Sequence, residues 1–232
     1  MLYARRFILI GAIAGCLGAI HGFTLVSAAD GSTKAIKEPE LAAELRRRFE
    51  SDQAIRKEWI EFSTKHNIQG KEQELDELDP KVDEAYKALI KKVSDEDQSN
   101  QVWLKEVIQK HGWPGRSLVG AQGAHDAWLL VQHASKDLEF QQDCLAKMTA
   151  MPKGEVSSID IAYLTDRILC LTGKKQKYGT QGMFKDGKII PQPIEDEEHV
   201  DERRKELGFE PLADYLKMME KAYGLAQTSE TK

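Results

Sequence analysis

Four polar clusters interrupt or border otherwise apolar stretches of this chain, and these are the places where chemistry could sit. Gln132 and His133 close the run Ala127-Trp128-Leu129-Leu130-Val131. On a helix, His133 shares a face with Leu129 and Leu130 one turn back and with Asp126 two turns back. An imidazole in that setting is desolvated, which lowers its pKa unless a carboxylate partners it. It is either a general acid or base or a neutral core histidine bonded to a backbone carbonyl. Asp166 and Arg167 lie inside a second apolar run, residues 159–171. A lone buried ion costs roughly several kcal/mol, so each needs a partner. Neighbouring helix residues point about 100° apart, so those partners must lie in different places. Arg167 has the planar fork that grips a carboxylate or phosphate, and it could equally lock two helices through an internal ion pair. Gln176-Lys177-Tyr178-Gly179-Thr180-Gln181 is dense in hydrogen-bonding groups, and its glycine marks a tight turn or a close ligand approach. It reads as a ligand rim or as the entry to a hairpin. In Trp113-Pro114 with Arg116, Trp113 is a core plug or a stacking platform.

This reading assigns His133 and Asp166 to catalysis, and Arg167, Tyr178, Gln181, Gln132 and Trp113 to substrate binding. The corresponding activity is that of a hydrolase or lyase on a small polar substrate. The competing expectation is a noncatalytic envelope module that binds a ligand or a protein, with the same residues as internal scaffold. No Gly-rich phosphate loop, His-Glu-x-x-His, Cys-x-x-Cys or Gly-x-Ser-x-Gly string occurs, so no cofactor is expected. His125 and His133 are eight residues apart, well off a common face, and no metal site is expected. Asp52, Gln53 and Arg56, and likewise Asp201 and Arg204, read as surface pairs one helical turn apart.

The elements that must position these groups are mostly helices. Leu41, Leu45, Phe49, Ile55, Trp59, Ile60 and Phe62 recur near the 3.6 period after Pro39, until Asn67 to Gly70 breaks it. Asp79-Pro80 opens a second stripe through Val82, Tyr86, Leu89 and Val93. Ser94 with Asp97 resembles a capping box, which predicts a restart before Trp103, Leu104, Val107 and Ile108. Residues 121–134 are apolar on every face and predict a buried central helix, with residues 137–150 as partner. Lys185-Asp186-Gly187 sits between two extended segments, 178–184 and 188–192, and predicts a hairpin. Residues 200–207 and 211–222 predict two short closing helices. The expected fold is mainly α, a helical bundle with a small β-hairpin near the C-terminal third. Its parts are an export signal at 1–28, a linker at 29–38, a single helical domain at 39–224 and a frayed tail at 225–232.

Arg5 and Arg6 precede an apolar stretch, residues 7–26, and Val26-Ser27-Ala28 has the small-residue pattern of a signal-peptidase site. Ile13-Ala14-Gly15-Cys16 offers an alternative, lipidation at Cys16, and an uncleaved anchor is a third. All three place the domain outside the cytoplasm, periplasmic or extracellular, touching a membrane only through that segment. The chain has 232 residues, 41% hydrophobic and 31% charged, enough for one self-sufficient core. Loss of Arg5 and Arg6 would take the net charge from −5 to about −7. An acidic domain without a basic patch is not expected to bind nucleic acid. Cys144 and Cys170 are expected as two buried thiols, with a bridge as the alternative.

Taken together, Gly112-Trp113-Pro114, Gln132-His133-Ala134, Asp166-Arg167 and Tyr178-Gly179-Thr180-Gln181 resemble the strings of a bacterial, often exported family of unknown function. Asp52-Gln53 with Arg56, and Asp201 with Arg203 and Arg204, fit the same pattern. The resemblance spans about residues 40–220. It implies no established activity, but it does imply that these scattered polar residues belong to one arrangement.

Overall fold

The computed structural model describes residues 35–68, 78–185 and 188–223. The expected export signal with Cys16, most of the expected linker, Asp186-Gly187 and the expected C-terminal tail lie outside the described residues. Seven α-helices and one two-stranded antiparallel hairpin make up the described fold, and its class, mainly α with a hairpin in the C-terminal third, is the one the sequence predicted.

Helix α1 (Pro39–Lys65) and helix α2 (Pro80–His111) lie against each other, with α2 capped by Asp79, whose side chain accepts from Lys81 N–H. Contacts between Arg48 and Asn100 and between Lys92 and Glu58 fix them as antiparallel. The expected restart at Ser94 does not occur: α2 runs unbroken for 32 residues. Both would-be capping groups are engaged elsewhere, Ser94 Oγ accepting from Lys136 and Asp97 from Arg56.

Helix α3 (Arg116–His133) is the central one. Ala127 through His133 are all buried, in line with the all-round apolar pattern. It is kinked at Gly120, whose φ of 78° no other residue type adopts cheaply. Helix α4 (Leu138–Ala150), capped by Asp137, turns back, and helix α5 (Ser158–Leu171), capped by Ser157, turns back again. Two reversals leave α5 parallel to α3. His125 meets Asp160 at 3.1 Å, and the Trp128 and Tyr163 rings stand 5.7 Å apart, so the two helices advance in step.

Strand β1 (Gly182–Lys185) pairs with β2 (Lys188–Pro191), Met183 opposite Ile190 and Phe184 opposite Ile189. The hairpin is shorter than predicted, because residues 178–181 are held by side chains rather than by a partner strand. A 3₁₀ turn leads into α6 (Val200–Glu206), and α7 (Leu212–Ala222) packs on β2. Cys144 is buried, Cys170 is half-buried, and both are free thiols. Burial pushes each of them up to about 12, which makes them poor nucleophiles. Among the described residues no helix is long and apolar enough to cross a membrane.

Candidate functional site

The buried stripe of α1 reads Leu45, Phe49, Asp52, Trp59, Ser63, so a carboxylate occupies a position the helix turns toward the core. Asp52 is 2% exposed and His133 4%, and Asp52 Oδ1 lies 2.8 Å from His133 Nδ1. Arg56, one turn further on, stands among several partners at once. Its Nε lies 3.2 and 3.3 Å from the two Asp52 oxygens and 2.9 Å from His133 Nδ1, and its Nη2 bonds Asp97 of α2. A ring nitrogen has one in-plane position, used either to donate or to accept. Since Arg56 Nε already faces the carboxylate, Nδ1–H is assigned as donor to Asp52. Burial raises the Asp52 carboxyl, but His133 and Arg56 together outweigh it and hold the group well below the usual carboxylate range. At Asp97 burial prevails over Arg56 and raises the carboxyl.

Asp52, Asp97 and His133 offer three ligand atoms within 4.8 Å of one another. The Arg56 guanidinium bonds to both carboxylates and lies against the His133 ring, so a cation belonging to the protein already sits among the three. A divalent ion would have to displace it.

Arg167 of α5 completes the group. It is 1% exposed, and its Nε and Nη2 have no hydrogen-bond partner among the described residues. Burial, and then the positive charge of Arg56, lower it to about 10; Asp97 acts weakly the other way. Gln132 of α3 is 2% exposed, with neither Oε1 nor Nε2 bonded among the described residues. Helices α1, α2 and α3 therefore meet at one charge-rich cluster, with Arg167 of α5 within electrostatic reach of its Arg56 and Asp97.

Asp166 turns away from it, as adjacency on a helix requires. Its carboxylate accepts from the N–H groups of Lys177 at 2.7 Å, Tyr178 at 3.1 Å and Thr180 at 3.0 Å, and from the Thr180 hydroxyl at 3.0 Å. Its acceptor positions are taken up by the loop, so Asp166 anchors residues 177–180 to α5, while burial raises its carboxyl. Gln181 is fully buried, its backbone N–H donating to Gln176 Oε1, while Gln176 Nε2 donates to the carbonyls of Gln181 and Gln192. Tyr178 is half-buried, its ring 6.4 Å from Phe209. Trp113 is buried in the core. The structure thus seats His133 in the charged cluster, sets Arg167 within electrostatic reach of it, buries Gln132 beside His133 in the chain, and places Asp166, Tyr178 and Gln181 in a separate scaffold.

Two surface assignments need correction. Asp52 and Arg56 are internal, and Arg204 is fully buried, donating to the carbonyls of Glu210 and Tyr178. His133 is bonded to Asp52, while Asp126, two turns back on its own helix, accepts from Gln122 and Arg46. The missed signal was available: Leu45, Phe49, Asp52, Arg56, Trp59 and Ser63 follow an alternating four-and-three spacing, which is a core stripe.

Gly179 has φ 70°, and a Cβ there would come within 2.7 Å of Leu212 Cδ1 and 3.1 Å of Ile194 Cδ1. Gly179→Ala is expected to cost roughly 1–3 kcal/mol, from backbone strain plus overpacking. The check is a urea midpoint that falls with unchanged slope. An unchanged midpoint would mean that the loop moves aside freely.

Fold and site define a mainly helical domain whose bundle encloses a cluster of two arginines, two carboxylates and a histidine. The chain belongs to the family of unknown function DUF6624, which matches residues 39–228. No curated protein and no solved structure matches it.

Proposed function

We propose that the chain is an exported domain that takes a small polar substrate into the enclosed site, where Arg167 holds it and His133 transfers a proton. The supporting observation is a buried guanidinium whose two donors are unbonded among the described residues, within electrostatic reach of the Arg56 that contacts the Asp52–His133 pair. A buried charge left without a partner is costly, and natural proteins keep such groups chiefly where something is to be bound. With Nδ1 committed to Asp52, Nε2 is the ring atom that would exchange the proton, and the carboxylate would stabilise the imidazolium that results. The corresponding reaction is a hydrolysis or an elimination. Export, to the periplasm or beyond and with or without an N-terminal tether, rests on Arg5, Arg6 and the apolar segment after them.

The second reading is a noncatalytic envelope module that binds a ligand or a protein. It is favoured by Asp166, Gln176, Gln181 and Arg204, whose bonds among the described residues are internal to the fold.

A thermal-shift screen of small polar metabolites, followed by NMR detection of turnover for each hit, separates them. A hit at 100 times its Kd adds about 2.7 kcal/mol to the stability. His133→Gln is expected to bind the hit and to turn it over at least 100-fold more slowly, about the scale of general acid–base catalysis. Hits that no protein sample converts would favour the binding module. Conversion undiminished in His133→Gln would remove the histidine from the mechanism.

A further inference from the structure

We infer that the ligand of this site carries a carboxylate, held side-on by Arg167 and flanked by the Gln132 amide. The inference rests on the ligand-site reading above and narrows it to a chemical class.

The argument begins with the register of two parallel helices. His125 faces Asp160, and Trp128 faces Tyr163. One turn further, the same register sets Gln132 opposite Arg167. Side chains of this length, facing each other on packed helices, normally bond to each other or to the backbone. Here neither does: Gln132 Oε1 and Nε2 and Arg167 Nε and Nη2 are all unbonded among the described residues. The register that pairs the Trp128 and Tyr163 rings thus turns both unbonded side chains toward the facing helix.

Which arginine atoms are unbonded decides the class of ligand. Nε–H and the nearer N–H of Nη2 project in parallel from one edge of the guanidinium plane. That edge matches two coplanar oxygens of a carboxylate, each accepting one bond. A single alcohol or carbonyl oxygen would leave one of the two donors unmet. The charge of the surroundings sets the second limit. Arg56 is committed to Asp52 and Asp97, which leaves Arg167 as the cation of the cluster without a bonded carboxylate among the described residues. A carboxylate brings one negative charge to one positive group. A phosphate dianion would bring a second charge into a space already holding two acids. Gln132 offers a donor and an acceptor beside the bound group, suited to a hydroxyl or carbonyl on the adjacent carbon. The ligand class is therefore a small 2-hydroxy or 2-oxo carboxylate.

The test uses glycolate, lactate and pyruvate, with inorganic phosphate and with lactamide as the neutral counterpart of lactate. Binding is read by calorimetry, and the Arg167 Nε–H proton is followed by NMR. At least one carboxylate should bind and shift that proton downfield, while lactamide binds at least 30-fold more weakly. Arg167→Met should abolish carboxylate binding, and Arg167→Lys, which keeps the charge but not the paired edge, should weaken it at least tenfold. Both variants should melt no lower than the parent, since each removes or relocates an unpartnered guanidinium. If phosphate binds and carboxylates do not, the class assigned here is wrong. If neutral ligands bind with the Arg167 proton unmoved, the site stands and the carboxylate falls. If no compound in this set or in the wider metabolite screen binds, both readings fall.

Discussion

Replacing Arg56 with alanine is expected to lower the stability of the protein by about 3–5 kcal/mol, the range found when one partner of a buried ion pair is removed. In a domain of this size that corresponds to a fall in Tm on the order of 10 °C. Arg56 is the cation between Asp52, His133 and Asp97, and its loss leaves two largely buried carboxylates close together without it. The pH dependence gives the effect a signature. In the parent, the Asp52 carboxyl is held below its ordinary value, so its contribution is fully present above the unfolded carboxyl pKa of ~3.9 and is lost only as pH falls further. In Arg56→Ala that support is gone, and the carboxylates relieve their repulsion by taking up protons. The penalty should therefore be large at pH 7 and shrink toward pH 5. Adding Asp97→Asn to Arg56→Ala should recover part of the loss at pH 7, since one of the two facing charges is then removed. Thermal melts at pH 5, 6 and 7 decide it, and a Tm within 2 °C of the parent at pH 7 would show that the network carries little of the fold.

Asp166→Ala should be comparably damaging for a different reason. The substitution leaves the N–H groups of Lys177, Tyr178 and Thr180 and the Thr180 hydroxyl without their acceptor. Each unmet buried donor costs about 1–3 kcal/mol, less whatever water or relaxation restores, so a total of roughly 3–5 kcal/mol is expected. The loop also receives Tyr215, whose hydroxyl donates to Thr180 O at 2.9 Å, and Arg204, which donates to Tyr178 O at 2.6 Å. Its release should therefore loosen α6 and α7. Hydrogen exchange at the amides of 177, 178 and 180 reads this directly: protection should fall by orders of magnitude, with Asp166→Asn intermediate because it keeps one oxygen. Retained protection in Asp166→Ala would mean that the loop is held by its glutamines alone.

Much of this architecture is written in local patterns. The all-round apolar stretch before His133, the Asp79-Pro80 start of α2 and the paired extended segments before and after residue 186 are each settled by neighbours within a turn or two. The site was legible only in part. His133, Gln132 and Arg167 stand out because a polar group among apolar ones is visible in one dimension. Asp52, Arg56 and Asp97 lie among other charged residues, where an internal pair and a solvated one spell the same string. Their burial depends on which side of α1 and α2 turns inward, and so on partners about 40 and 80 residues away. The restart expected at Ser94 failed for the same reason: a residue that could end a helix continues one when its side chain is bonded elsewhere. Asp166 was recognised as buried, but its role depended on a loop that returns to it 11 to 14 residues later.

The Asp52–His133 contact has a mechanical corollary for the bundle. Stripes of leucine and phenylalanine tolerate sliding, because a shift of one helical pitch, about 5.4 Å, swaps one greasy contact for another. A carboxylate matched to one imidazole has no equivalent neighbour a pitch away. The charged cluster therefore works as a ratchet tooth, allowing α1 a single setting against α3 and, through Asp97, a single setting against α2.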